Sequence, residues 1–317
     1  MKLLLDCDPG HDDAVAILYA ACHLDLIAIT TVHGNQTVEH TTRNALSLCR
    51  LAQLDIPVAR GAAKPLNGPM IDAGIVHGKT GLDGAELPTP DRDVVDEHAV
   101  ELILRLAREN RGELVLAATG ALTNVALALS VEPKLREWLR GITIMGGSTG
   151  VGNVSAVSEF NIHCDPEAAD IVLTSGVPMW LVGLDVTRRV GGDAAQIAAL
   201  RAGGGAVART IADLLAFFLA SLERVHGLRT ASLHDPCALV PFIDPSLMTY
   251  RPTHVAVDLT SPLTRGMTVC DLRRLGNVPL GHIVPQRQPN VQLARDPAPG
   301  LVPHILDAIR QVDTRTR

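Results

Sequence analysis

A single α/β domain with a mainly parallel central sheet flanked by helices is the fold that this sequence predicts, and three observations carry the prediction. Short strand-like apolar runs alternate with amphipathic stretches, which is the βαβ pattern of a parallel sheet. The 317 residues are 47% hydrophobic and 20% charged, enough apolar material to bury a large core. No repeat, low-complexity tract or linker divides the chain, so residues 1–317 read as one domain.

The elements follow in order. LLLDCD (3–8) reads as a first strand, AVAILYAACH (14–23) as a helix, DLIAITTV (25–32) as a second strand and TTRNALSLCRLA (41–52) as a helix. A long polar loop follows, Gly-rich from 61 to 92, and its composition fits a mobile lid. The pattern then resumes with a helix at 95–109, ELVLAAT (113–119) as a strand, a short helix at 121–130, and strands at GITIMGG (141–147) and VPMWLVGL (177–184). A helical segment spans 193–243, interrupted by GGG at 203–205, and HVAVDL and GMTVC beyond residue 251 are short strand candidates. In open α/β sheets ligands bind beyond the carboxyl ends of the strands, so the polar residues just after each run are the ones to inspect.

Composition excludes several classes. A net charge of −6 with no basic block argues against nucleic acid as a partner and for a small molecule. The six cysteines are scattered with no CxxC pair or zinc spacing, and read as reduced thiols of a cytoplasmic protein. Three leucines before Asp6 are too few for a secretory apolar core, and no run approaches the ~20 apolar residues of a membrane span.

The densest chemistry is N-terminal. Asp6, Asp8, Asp12 and Asp13 crowd around the Pro9-Gly10 turn after the first strand, and so many like charges need a compensating partner. Acidic caps on a helix N-terminus account for one or two of them. A hard divalent cation accounts for the set, and flexible oxygen-only ligation favours Ca²⁺. Position twelve of an EF-hand loop counted from Asp6 or Asp8 is Ile17 or Tyr19, not glutamate, which excludes that motif.

The segment DCDPGHDDA (6–14) resembles the N-terminal fingerprint of the inosine-uridine preferring nucleoside hydrolases. Further resemblances follow in family order: His33-Gly34-Asn35, VHGKTGLDG (76–84), ATGALTN (118–124), IMGG (144–147), SEFNIHCDPEAA (158–169) and LHDP (233–236). The resemblance implies a Rossmann-like nucleoside hydrolase fold, a homodimer or homotetramer, and Ca²⁺-dependent hydrolysis of ribonucleosides to ribose and free base. It also implies a cation held by Asp8, Asp13, the Thr119 carbonyl and Asp235, with ribose bound by Asp12, Asn35, Glu159 and Asn161 and by the backbone around Met145. Asp8 is the expected general base for the attacking water, His234 the expected acid for the departing base, and His77 a neighbour of the base. Carboxylates packed around the sugar suit an oxocarbenium-like transition state.

The helix before LHDP departs from the family pattern. Where tyrosines or a glutamine usually face the base, this chain has Phe218, Leu222 and His226. Their i, i+4, i+8 spacing keeps them on one helix face, but two lack a group able to hydrogen-bond a base, and only His226 offers a replacement proton donor. Pyrimidine nucleosides, which need less stacking area, are expected over inosine. His11 reads as a structural residue at a helix start.

Other readings are weaker. The DxD of LLLDCD resembles the start of haloacid-dehalogenase-like phosphatases but is followed by PGHDD where a pattern such as DGT is expected. Gly78-Lys79-Thr80 resembles the end of a phosphate-binding loop, yet residue 73 is alanine where glycine is required. A non-catalytic nucleoside- or ribose-binding protein on the same scaffold is the remaining alternative.

Overall fold

A computed structural model describes residues 1–275 and 283–316. Its strands are β1 (Lys2–Cys7), β2 (Asp25–Thr31), β3 (Val58–Arg60), β4 (Leu114–Ala118), β5 (Gly141–Met145), β6 (Met179–Val182), β7 (Gly191–Gly192), β8 (Ala231–Ser232), β9 (Met248–Thr253), β10 (Val255–Val257), β11 (Thr268–Cys270) and β12 (Val291–Pro297). Its helices are α1 (His11–His23), α2 (Val38–Leu51), α3 (Gly74–His77), α4 (Ala99–Glu109), α5 (Thr123–Val131), α6 (Leu135–Trp138), α7 (Phe160–Cys164), α8 (Pro166–Leu173), α9 (Leu184–Thr187), α10 (Ala194–Gly203), α11 (Ala206–His226), α12 (Pro236–Ile243) and α13 (Leu301–Arg315).

The predicted class holds. The main sheet has eight strands in the order β3-β2-β1-β4-β5-β6-β12-β9, all parallel to their neighbours except the edge pair β12–β9. Strand alternation splits the apolar residues between two layers. Leu3, Leu5 and Cys7 of β1 face one core with α1, α11 and α13, while Leu4 faces the other with α4, α5 and α8. Parallel strands covered on both faces are buried along their length, as β4 and β5 are at every residue.

Helix α1 is buried from His11 through Ala20, so it is the central helix of its layer, packed on α11, α12 and α13. The glycine run at 203–205 ends α10 and opens α11, where the sequence places a break. HVAVDL and GMTVC do form strands, but as the small antiparallel pair β10–β11 outside the main sheet. The sequence reading did not anticipate β9, β12 or α13. Pro252 lies in β9 on the sheet edge, where a missing N–H is tolerated.

One consequence matters for function. The chain leaves β1 toward β2 on one side and reaches β4 on the other, so the crevice between the carboxyl ends of β1 and β4 is the topological switch point of the sheet.

Candidate active site

At that switch point the chain gathers buried carboxylates. Asp8 follows β1, while Asp12 and Asp13 occupy the first turn of α1. Asp235 arrives from the start of α12, directly before Pro236, whose fixed φ suits a first helical position. All four are at most 5% exposed. Candidate ligand atoms of Asp12, Asp13 and Asp235 lie within 4.8 Å of one another. This trio differs by one residue from the expected set, because Asp12 stands in it and Asp8 does not.

Asp8 is held back by its own contacts. One carboxylate oxygen, Oδ2, accepts the Asn35 amide at 2.6 Å, and two glycines wall the group in. A Cβ on Gly34 would fall 2.0 Å from Oδ2 and one on Gly120 would fall 2.6 Å from Oδ1, so neither position admits a side chain. The other oxygen, Oδ1, is buried with no hydrogen-bond partner. Asp6, expected to share a face with Asp8, is turned to Thr30 Oγ1 at 2.6 Å and Asn124 Nδ2 at 2.8 Å and takes a structural part.

Burial pushes every carboxyl of the cluster upward: Asp12 to about 8, Asp13 to about 6, and Asp8 and Asp235 well above the carboxylate range. The neighbouring acids add to the rise at Asp8, Asp12 and Asp235. A cluster so costly to ionise by itself, built of oxygen donors with one orphaned buried oxygen, fits a hard divalent cation. The Thr119 carbonyl borders the same space and accepts Asn161 Nδ2 at 2.8 Å, while Thr119 Oγ1 donates to Asp13 at 2.8 Å.

The cluster opens into a cleft of about 630 Å³. Asp12, Asn35, His77, Thr119, Met145, Glu159, Asn161, Phe218, Leu222, His226, His234 and Asp235 all line it, whereas Asp8 and Asp13 lie behind the lining. Glu159 caps α7: its carboxylate accepts the amides of Asn161 at 2.9 Å, Ile162 at 3.2 Å and Gly147 at 2.9 Å. Burial raises its pKa and these amides oppose the rise. Met145 is 2% exposed and packs on Leu184 and Ala238 while its carbonyl takes Asn161 Nδ2 at 3.2 Å. It is thus both a core methionine and part of the cleft wall.

The other wall is apolar and aromatic. Phe218 and Leu222 are almost fully buried and share a face of α11 with the exposed His226. His234 is held by Thr187, its Nδ1 lying 2.7 Å from the hydroxyl oxygen, and burial pushes its pKa down to about 4. The segment 61–92 packs over this side through α3. Arg224 of α11 donates to the Ile75 carbonyl at 3.2 Å, Gln36 to the Gly78 carbonyl at 3.0 Å and Asn44 to the Thr80 carbonyl at 2.9 Å.

Sequence reasoning missed five polar or aromatic contributors, Asp72, Asn153, Phe160, His163 and Arg188. Asn153 Oδ1 accepts the Phe160 amide at 2.9 Å, leaving its amide group for the cleft. Arg188 donates to the carbonyls of Val151 and Gly152 at 3.0 and 2.6 Å, tying the loop after β5 to α9. Phe160 and His163 lie inside the segment SEFNIHCDPEAA (158–169), which carried a signal for them, whereas Asn153 and Arg188 sit in no pattern with a recognisable spacing.

Comparison with known proteins adds independent findings. Residues 3–298 match the model of the family described as inosine-uridine preferring nucleoside hydrolase. The chain is 45% identical over 284 residues to the pyrimidine-specific ribonucleoside hydrolase RihA of Enterobacter sp. (strain 638), covering 88% of this chain and 91% of that one. It is 44% identical over 281 residues to RihA of Shewanella oneidensis, covering 87% and 88%. Among solved structures it resembles the purine-preferring ribonucleoside hydrolase from Gardnerella vaginalis, with a TM-score of 0.90 and 32% identity over 99% of this chain and 100% of that one. It also resembles an inosine-guanosine nucleoside hydrolase, with a TM-score of 0.85 and 31% identity over 99% and 98%.

Proposed function

This chain belongs to the inosine-uridine preferring nucleoside hydrolase family, and from that premise we propose that it is a Ca²⁺-dependent ribonucleoside hydrolase that acts on uridine and cytidine ahead of inosine and adenosine. It is a hydrolase of the N-glycosidic bond, so the finer reading concerns the ion, the base and the residues. The observation that carries it is the oxygen-only carboxylate cluster at the switch point, opening into a cleft with polar groups on one wall and apolar ones on the other.

Asp8, Asp13, Asp235 and the Thr119 carbonyl would hold the ion, whose chemistry is to anchor a cis-diol and make a bound water acidic. Asp8 Oδ1, buried and without a partner, is the acceptor for the proton of the attacking water. Asp12, Asn35, Glu159 and Asn161 bind the ribose hydroxyls, with the carbonyl of Met145 beside them. Their oxygens also face the positive charge that grows on the sugar as the glycosidic bond breaks.

His234 serves the departing base. With the Thr187 hydroxyl donating to Nδ1, the neutral ring keeps its proton on Nε2, whose N–H donates a hydrogen bond to the departing base and stabilises the negative charge that builds there; full proton transfer would require the imidazolium. His234→Ala is expected to lower kcat/KM on uridine by roughly 10² to 10⁴-fold. An activated nitrophenyl riboside needs no acid, so it should lose far less; equal losses on both substrates would remove the acid role.

Pyrimidine preference is supported by the RihA relatives, described as pyrimidine-specific. The wall of Phe218, Leu222 and His226 offers stacking and one polar group to a small base. The test is ribose release from uridine, cytidine, inosine and adenosine by the purified protein, with the two pyrimidine nucleosides expected fastest. Faster release from inosine would reverse the base assignment and leave the reaction class intact.

A further inference from the structure

His11 is a buried imidazole of the site region that the mechanism leaves unused, packed against residues that line the cleft. Its ring stacks on Phe218 with centroids 5.1 Å apart and planes at 2°, and on Phe217 at 5.4 Å and 11°. His77 stacks on the same Phe218 at 5.0 Å. Between the two histidines the Nδ1 atoms are 3.1 Å apart, a hydrogen bond that needs one nitrogen with a proton and one without.

The polarity of that bond follows from the other end of His11. Its Nε2 lies 2.8 Å from the Asp83 carbonyl oxygen, which only accepts, so His11 carries its proton on Nε2. The Asp83 carbonyl is itself fixed, because the Asp83 carboxylate takes the amides of Lys79 at 2.9 Å and Thr80 at 3.1 Å and closes the turn. A buried ring among phenyl groups is neutral, so His11 Nδ1 is a lone pair and the proton between the rings belongs to His77 Nδ1. The His11 main-chain amide also approaches His77 Nδ1 as a donor at 3.4 Å, a longer contact that a proton on His77 Nδ1 gives up in favour of the 3.1 Å bond between the rings. As the first amide of α1 it has no partner within the helix to lose.

We propose that His11 and the Asp83 carbonyl together set the tautomer of His77, so that His77 presents an unprotonated Nε2 to the cleft and selects bases that offer an N–H donor there. His11 is thus a positioning residue for base specificity, acting through His77. The matching chemistry is the N3–H of uracil or the amino group of cytosine. A base whose donor is replaced by a methyl group leaves the acceptor unpaired, which is the discrimination a hydrogen-bonding site achieves best. This inference rests on the reading of the cleft as a nucleoside site.

Two measurements test it. Two-bond ¹H–¹⁵N spectra of histidine-labelled protein, with His77 assigned by comparison with His77→Asn, are expected to show His77 protonated at Nδ1 and bare at Nε2. A proton on Nε2 overturns the proposal, whether or not any nucleoside is cleaved. The second compares kcat/KM on uridine and 3-methyluridine. The wild-type protein should favour uridine by about tenfold or more, as expected for a lost hydrogen bond of ~1.4 kcal/mol. In His11→Phe, which keeps the stack but frees the His77 tautomer, the ratio should fall to within about threefold. An unchanged ratio in that variant means that the methyl group is excluded by shape alone and overturns the proposal. Absence of hydrolysis of any nucleoside would instead overturn the substrate reading and leave the tautomer result standing. Should His11→Phe fail to fold, His11→Asn removes the same ring and is read by the same ratio.

Discussion

Asp8→Asn is expected to lower kcat on uridine by roughly 10² to 10⁴-fold, the range of a lost general base, while leaving the fold in place. The asparagine oxygen keeps the 2.6 Å bond from the Asn35 amide, and the substitution adds no volume between Gly34 and Gly120. What it removes is the charge and the free acceptor of Oδ1. Asp8 is raised by its burial and by Asp13, so the neutral amide relieves an unfavourable group in the metal-free protein. Thermal unfolding in chelator should therefore occur at the wild-type temperature or above it, while ribose release falls. Near-normal turnover would refute Asp8 as base, and a large loss of thermal stability would attribute the effect to folding.

Exhaustive chelation is expected to abolish ribose release, and Ca²⁺ to restore it. Buried carboxylates raised by burial and by one another cannot all ionise without a cation, so chelation leaves protonated groups where ribose and water need ionised ones. Binding to the folded state alone also stabilises it: at a hundredfold excess over Kd the gain is about 2.7 kcal/mol, or several degrees in Tm for a domain of this size. Mg²⁺, which is smaller and demands near-octahedral geometry, should restore less. Activity that survives chelation would refute the cation reading of the cluster; full restoration by Mg²⁺ and not Ca²⁺ would change the ion.

Most of the architecture was legible because its signals are local. The apolar run of β1 and the glycine break at 203–205 are visible in a few residues. The edge strand β9 was not, since it contains Pro252 and is half exposed along its length, so neither alternation nor an apolar run marks it. The site was legible for a related reason. Asp12 and Asp13 are adjacent, and the strand-end rule points to Asp8, Asn35 and Thr119 without knowledge of the packing.

The sequence by itself determined the family, its reaction class and an acidic cluster after the first strand, because each is written in short motifs that do not depend on distant neighbours. Tertiary structure decided which of those groups meet. It placed Asp12 in the close trio and drew Asp8 to the Asn35 amide, turned Asp6 toward Thr30 and Asn124, brought Asn153 and Arg188 to the cleft, and set His11 against His77, 66 positions away. Periodicity tells which face of an element a side chain occupies; which neighbour it meets there is fixed only when two elements pack and their hydrogen bonds and volumes must be satisfied together.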